Sequence, residues 1–191
     1  DSDDENKLLK DVEFNLSTKA DMSEILTTAK TNKEGIALFE ELELGTYYIQ
    51  EAKQIDGYVI NDHIYQINIT KNGDLLSITC MNKPTEMEFS KQDITTSKEL
   101  PGAHITITDK ESGKIIDEWT STDKAHMIKY LVEGKEYIMT ETIAPENYEL
   151  AESITFTAKD GQKIIMKDQR KPVSVDTSDM NNRQLWLMTT A

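Results

Sequence analysis

Short stretches of alternating apolar and polar residues run through the chain, each bounded by turn-forming residues. Two clear examples are Ala-His-Ile-Thr-Ile-Thr at 103–108 and Ser-Ile-Thr-Phe-Thr at 153–157. The turns between such stretches pair Gly with Asn, Asp, Ser or Lys, as at 71–74 and 111–114. We find no long stretch with the apolar period of a helix. Many short strands, spaced about ten residues apart, predict an all-β sandwich or barrel.

The strand pattern occurs twice. Three residues of the first half recur 90 positions later: Tyr47, Glu51 and Tyr58 correspond to Tyr137, Glu141 and Tyr148. We therefore predict two tandem copies of one β-sandwich domain, over 1–83 and 84–172. Residues 173–191 lack strand alternation and are predicted to form a C-terminal linker.

Composition excludes several classes of protein. The net charge is 21 − 35 = −14, which disfavours nucleic acid because phosphate binding needs clustered Lys and Arg. A single cysteine, Cys80, excludes an intrachain disulfide. The three histidines lie on different segments without ligand spacing, and no phosphate-binding loop occurs, so we predict no metal and no cofactor. Apolar residues make up only 37%, which implies a thin core for this length.

Three predicted strands each place one ionisable side chain on their apolar face: Lys91, Glu141 and Asp168. Successive side chains of a strand point to opposite faces. Each of the three therefore shares a face with the apolar residues two and four positions before it. One core would then contain a lysine, a glutamate and an aspartate.

Each charge alone fits a strand end that reaches solvent, since Lys, Glu and Asp are seldom fully buried unless paired. Three together favour either a buried ion-pair cluster or a reaction. Desolvation favours the uncharged forms, so that Lys91 becomes a neutral amine and Asp168 a neutral acid with an electrophilic carbonyl carbon. Protonated Glu141 can polarise that carbonyl and shuttle the proton. The product is an amide between Lys91 and Asp168, with loss of one water.

Several motifs of the second repeat belong together: Glu-Phe-Ser-Lys-Gln-Asp at 88–93, Leu-Pro-Gly-Ala at 100–103, Glu-Thr-Ile-Ala-Pro at 141–145 and Met-Lys-Asp-Gln-Arg-Lys-Pro at 166–172. They resemble the Cna B-type (SpaA-like, prealbumin-fold) domains of Gram-positive surface proteins and pilins. The similarity is closer still to the isopeptide-forming domain of a streptococcal fibronectin-binding protein. The resemblance implies a Lys91–Asp168 isopeptide bond with Glu141 as the assisting acid.

The first repeat resembles the same family but departs from it. Glu51 matches the assisting acid. Asn82 stands where the family places its acceptor Asn or Asp, and an Asn acceptor would release ammonia instead of water.

The reactive lysine of the first repeat should stand eleven residues before the equivalent of Gly102, which is Asp11. That count ends just before Asp1. Lys7 and Lys10 are near, but they fall on the segment that follows the first strand. We therefore expect the first repeat to lack its first strand and its bond, which leaves Glu51 idle.

The tail resembles the end of Gram-positive wall proteins, where a Pro-x-x-Thr-Gly-like sorting signal precedes an apolar span. Ser178 stands where Gly is expected, and the apolar run at 184–188 is short. The motif for sortase is thus degenerate, and an ordinary polar linker is the alternative.

These features predict a structural stalk or pilin-like segment of a secreted, wall-attached adhesin, with neighbouring domains of the same protein as its partners. Amide formation within one chain is single-turnover, so we do not expect an enzyme. The alternatives are a domain that binds a host protein or glycan, and an accessory module of a secreted enzyme.

Overall fold

The structure is a computed structural model that describes residues 1–172, and every regular element in that range is a β-strand. The prediction of an all-β chain is confirmed. Within the same range no helix is long and apolar enough to cross a membrane. The linker and the degenerate sorting motif predicted for residues 173–191 lie outside the described residues.

The first domain contains one four-stranded antiparallel sheet in the order β2-β1-β3-β4. Its strands are β1 (Glu13–Ser17), β2 (Ile25–Lys30), β3 (Gly45–Glu51) and β4 (Tyr65–Ile69). Alternation places Phe14 and Leu16 of β1 on the buried face, where Tyr47 of β3 is also buried.

The second domain is a sandwich of two sheets, in the orders β10-β9-β6-β7 and β11-β5-β8. Its strands are β5 (Glu86–Asp93), β6 (His104–Asp109), β7 (Ile115–Thr120), β8 (His126–Lys129), β9 (Glu136–Ile143), β10 (Ile154–Thr157) and β11 (Lys163–Asp168). Phe89 lies at the centre of the core, with its ring 5.4 Å from that of Phe156 and 6.0 Å from that of Trp119. Such tilted aromatic pairs add to the stabilisation that burial already provides.

The first and last strands of the second domain are neighbours. β5 pairs in parallel with β11, so that Met166 lies opposite Lys91 and Asp168 opposite Asp93. The other edge of β5 pairs antiparallel with β8. This central position of β5 brings residues from the two ends of the domain together.

Corresponding turns of the two domains have the same backbone conformation. Asp11 has a φ of 64° and Gly102 a φ of 97°. The Asp11 amide donates to the carbonyl of Thr31 at 2.9 Å, as the Gly102 amide does to that of Ser121 at 3.0 Å. The equivalence of Asp11 and Gly102, which the sequence predicts, is therefore present in the fold.

Two segments of the first domain remain without a strand partner. Residues 36–42 and 74–81 stand in the sequence where β8 and β11 stand in the second repeat, yet they form no strand. Their apolar side chains are exposed, with Leu75 at 87% and Ile36 at 59%. In the second domain β5 pairs with both corresponding strands. No strand among residues 1–172 takes the place of β5 beside these two segments.

Candidate functional site

Lys91, Glu141 and Asp168 lie together in the core of the second domain. They come from β5, β9 and β11, and none is more than 2% exposed. Alternation along each strand directs the three side chains inward, because they follow Phe89, Met139 and Met166 on the same faces.

The Lys91 Nζ atom contacts both carboxyl groups. It donates a short hydrogen bond to Asp168 Oδ1 and lies 2.9 Å from Glu141 Oε1. The other Glu141 oxygen, Oε2, accepts the backbone amide of Ala151 at 2.7 Å. That bond orients the Glu141 carboxyl so that its free oxygen faces the lysine.

One carboxyl oxygen of this cluster, Asp168 Oδ2, is buried and accepts no hydrogen bond. Glu141 Oε1 forms an ion-pair contact with Lys91 Nζ at 2.9 Å. Buried carboxylate oxygens without donors are costly, and a protonated carboxyl group avoids much of that cost. The Asp168 carboxyl is thus the group of the cluster for which protonation lowers the cost of burial most directly.

Burial is the main cause of a raised pKa at Asp168. Desolvation raises the pKa of this carboxyl to about 6, while the hydrogen bond from Lys91 partly opposes the shift. A protonated Asp168 has an electrophilic carbonyl carbon within contact distance of an amine. Fixed positions on rigid strands supply the proximity that a free amine and acid lack.

A second polar cluster holds the ends of β5 and β11, and we did not foresee it from the sequence. Asp93, two residues after Lys91, accepts the Tyr148 hydroxyl at 2.6 Å and the amides of Thr95 and Thr96, each at 2.8 Å. These donors, the tyrosine first, hold the pKa of the Asp93 carboxyl well below its usual range. Arg170, two residues after Asp168, lies 3.5 Å from the same carboxyl. The sequence signal that could have revealed this cluster is the spacing of Lys91 and Asp93, which places both side chains on the same face of β5.

Glu99 anchors β5 next to the reactive lysine. Its Oε2 accepts the backbone amide of Lys91 at 3.2 Å, and its Oε1 accepts a short bond from the Ser90 hydroxyl. Gln92 donates to Ser90 Oγ at 2.8 Å. These contacts restrain the backbone from which the Lys91 side chain extends.

The first domain contains the matching acid and acceptor. Asn82 Nδ2 donates to Glu51 Oε2 at 2.7 Å, and the Asn61 amide donates to the same oxygen at 3.0 Å. Both side chains are buried, and Glu51 Oε1 accepts no hydrogen bond. Burial raises the pKa of Glu51. Asn61 has the role here that Ala151 has beside Glu141.

Asp1 occupies the position that Asp93 has in the second domain. The Ser2 amide donates to the Asn82 carbonyl at 2.8 Å, just as the Ile94 amide donates to that of Asp168 at 2.9 Å. The position equivalent to Lys91 is therefore two residues before Asp1, outside the numbered sequence.

Neither nearby lysine of the first domain takes that position. Lys7 Nζ pairs with Asp1 at 3.1 Å and lies 3.8 Å from the centre of the Tyr130 ring. Lys10 is exposed and pairs with Asp11.

The histidines are dispersed. His126 Nε2 lies 2.9 Å from Asp117, and its ring stacks on Trp119 at 4.3 Å. His104 Nδ1 contacts the Thr142 hydroxyl at 2.6 Å. Over residues 1–172, no group of three or more His, Cys, Asp or Glu side chains is placed to hold a metal ion.

The two β domains, each with a buried acid beside an Asn or Asp acceptor, define a class of tandem β-sandwich protein. Comparison with known proteins identifies the same class. The chain belongs to the family of SpaA prealbumin-like fold domains, which matches it twice, over residues 1–84 and 85–171. The predicted fold class, two tandem prealbumin-like domains, is thereby confirmed. Among curated proteins, none matches the sequence.

Similar solved structures include pilins and the TIE protein of Bacillus anthracis. The TIE protein of Bacillus anthracis is 27% identical, with a TM-score of 0.60, over 90% of this chain and 32% of that one. The chain thus spans about a third of that structure. The shaft pilin SpaA of Lactobacillus rhamnosus GG is 16% identical over 86% of each chain, with a TM-score of 0.42. A streptococcal ancillary pilin is 24% identical over 88% of this chain and 60% of that one, with a TM-score of 0.40.

Replacing the Tyr148 hydroxyl should raise the pKa of Asp93 towards its usual value. Because the folded-state pKa lies below the unfolded value of about 3.9, the bond stabilises the domain at neutral pH. That contribution is lost as the pH falls through the folded-state pKa. NMR titration of the carboxyl carbons in Tyr148→Phe measures the shift. Tyr137→Phe is the matched control, since the Tyr137 hydroxyl accepts the Val132 amide instead; equal shifts in both variants would contradict the assignment.

Proposed function

We propose that this chain is a structural stalk segment of a Gram-positive surface protein, and that an amide between Lys91 and Asp168 stabilises its second domain. The observation that carries this proposal is the contact of the Lys91 amine with the Asp168 carboxyl, with Glu141 beside both. An ion pair alone would be a weak explanation, because burying three ionised groups is costly and Asp168 Oδ2 lacks a donor.

The proposed reaction joins the two side chains within one chain. The neutral Lys91 amine attacks Cγ of protonated Asp168, and the C–O bond to the leaving hydroxyl breaks. The nitrogen loses one proton, which Glu141 passes to that hydroxyl, so that one water leaves and one amide remains. Glu141 ends in the protonation state in which it began. The chain turns over once, so it is not an enzyme in the usual sense.

An amide at this place changes how the domain carries load. Lys91 and Asp168 are 77 positions apart, so the bond closes a loop that includes most of the domain. By the chain-entropy estimate for disulfides, a loop of this length is worth about 4–5 kcal/mol. Tension applied to the two ends passes through the bond between β5 and β11 and bypasses the hydrogen-bond ladders. Unlike a disulfide, an amide needs no oxidant and resists reduction.

Intact mass tests the proposed bond directly. The folded chain should weigh one water less than its sequence. Lys91→Ala and Asp168→Ala should restore the full mass, and Glu141→Ala should slow or prevent bond formation because the proton shuttle is lost. Lys167→Ala, next to Asp168 on the opposite strand face, is the control and should keep the deficit. A full sequence mass in well-folded protein would refute the bond, and an additional loss of ammonia would refute the idle state of the first domain.

Single-molecule pulling tests the stalk function. When the chain is stretched from its ends, the residues between Lys91 and Asp168 should not extend. The Asp168→Ala variant should release them and lengthen the trace by roughly 250–280 Å, at 3.3–3.6 Å for each residue. The same release in the unaltered chain would show that the second domain does not resist force through a covalent bond.

We further propose that the Glu51–Asn82 pair of the first domain reacts with a lysine supplied two positions before Asp1. Glu51 Oε1 is buried and accepts no hydrogen bond, which supports this proposal. The corresponding oxygen of Glu141 faces Lys91 Nζ. The amine would displace the Asn82 amide nitrogen, and ammonia would leave instead of water. A strand carrying that lysine would also cover the exposed apolar residues of 36–42 and 74–81.

Extending the chain tests this second bond. A variant with a copy of Glu86–Gln92 placed before Asp1 puts a lysine at the required position. Its mass should fall by one ammonia in addition to one water, and Asn82→Ala should abolish only the loss of ammonia. The same extension with arginine in place of the lysine is the matched control. Loss of water alone, in an extension that NMR shows to be folded, would contradict the proposal.

Location and partners follow from the same proposal. We place the protein at the cell surface, with neighbouring domains of the parent protein as partners. The adhesin alternative would draw support from a large exposed apolar patch. About half of the exposed large apolar residues of the first domain lie in residues 36–42 and 74–81, the two segments that a strand equivalent to β5 would cover; others, such as Leu8 and Leu26, are spread over the rest of the domain. The accessory-module alternative has no feature in its favour among residues 1–172.

A further inference from the structure

The two domains meet at a buried carboxylate. The Asp1 side chain is fully buried, and its Oδ2 accepts the hydroxyl of Tyr58 at 2.8 Å and that of Tyr130 at 2.9 Å. Tyr58 belongs to the first domain and Tyr130 to the second. A buried carboxylate must be paired, and each domain supplies one tyrosine hydroxyl to this one.

A cation completes the contact of Asp1 with Tyr58 and Tyr130, which we call the joint between the domains. Lys7 Nζ is 3.1 Å from Asp1 Oδ2 and stands over the rings of Tyr130 at 3.8 Å and Tyr58 at 5.3 Å. Cations over aromatic faces are attracted more strongly when water is excluded. The two tyrosine rings also meet edge to face at 5.5 Å.

The backbones of the two domains approach closely at Gly57. A Cβ on this residue would lie 2.9 Å from the Tyr130 carbonyl oxygen, and its φ of +81° also disfavours a side chain. Thr85 joins the same place, since its amide donates to the Gly57 carbonyl at 3.0 Å and its hydroxyl to the Leu131 carbonyl at 2.6 Å. The conformation therefore favours glycine, and the contact with Tyr130 leaves no room for a Cβ.

The corresponding end of the second domain is built differently. Asn147 stands where the first domain has Gly57, and it adopts a φ of 66°. Arg170 stands where the first domain has Pro84, since each bridges to the equivalent tyrosine. Arg170 itself supplies the cation beside Asp93 and Tyr148. The second domain thus satisfies its own acid without a tyrosine from a neighbour.

We propose that the end of the first domain is a docking surface for one kind of partner: a directly following domain of this family with a tyrosine at the position of Tyr130. Asp1, Tyr58 and Gly57 form the surface and hold the second domain in one orientation. Domains joined by short linkers usually move relative to one another unless their interface restrains them. This joint makes the pair a rigid unit, whether or not either domain forms an amide.

Residual dipolar couplings of the backbone amides test the orientation. One alignment tensor should fit both domains of the unaltered 191-residue chain. Gly57→Ala, which forces the Tyr130 carbonyl away, should require two tensors of different magnitude. Gly73→Ala is the matched control, because Gly73 has a φ of +82° in the same domain but nothing within 4 Å of the added carbon. It should behave as the unaltered chain.

Three results would overturn the proposal. They are two tensors for the unaltered chain, one unchanged tensor for Gly57→Ala, and a need for two tensors in Gly73→Ala. If Gly57→Ala unfolds the first domain, Tyr130→Ala replaces it, since it removes the second donor to Asp1 without a change in the first domain. Tyr130→Ala should also uncouple the domains, and a shared tensor in that variant would refute the joint.

Discussion

The second domain depends on the contact between one amine and two carboxyl groups inside an apolar core. Lys91, Glu141 and Asp168 come from three strands, and none can be buried alone without a large desolvation cost. Their meeting requires β5 to lie at the centre of its sheet, β11 to run parallel beside it, and β9 to face both across the core. The surrounding network around Asp93 and Glu99 holds the ends of these strands, which keeps the amine and the acid in place. A proposed amide would make this geometry permanent.

Comparison of the two domains shows what the first strand contributes. With β5 in place, Ile164 and Met166 of the last strand are buried. In the first domain their counterparts, Ile78 and Cys80, form no strand, and Ile78 is 38% exposed. The acid and acceptor pair nevertheless forms in both domains, because β1 and β3 position Glu51 as β6 and β9 position Glu141. The sheet that carries the acid thus folds without the strand that carries the lysine.

The sequence predicted more of this site than of its surroundings. Alternation along β5, β9 and β11 was enough to select Lys91, Glu141 and Asp168, since a charge two positions from core residues stands out in a short strand. The same rule applied to Asp93 would have selected it too, but its partner Tyr148 follows β9 in a turn, where periodicity carries no information. The sequence also did not reveal that Asp1 is equivalent to Asp93. Counting residues back from Asp11, the equivalent of Gly102, located the missing lysine only approximately.

The amino-acid sequence by itself determined the all-β class, the two repeats and the apolar faces that carry the three charges, because these depend on local periodicity and turn chemistry. Only the tertiary structure decided which groups meet, since hydrogen bonds such as those of Tyr58 and Tyr130 to Asp1 join residues 57 and 129 positions apart. The joint between the domains belongs to this second kind. It depends on a close approach of two backbones at Gly57, and no repeat or pattern along the chain specifies that approach.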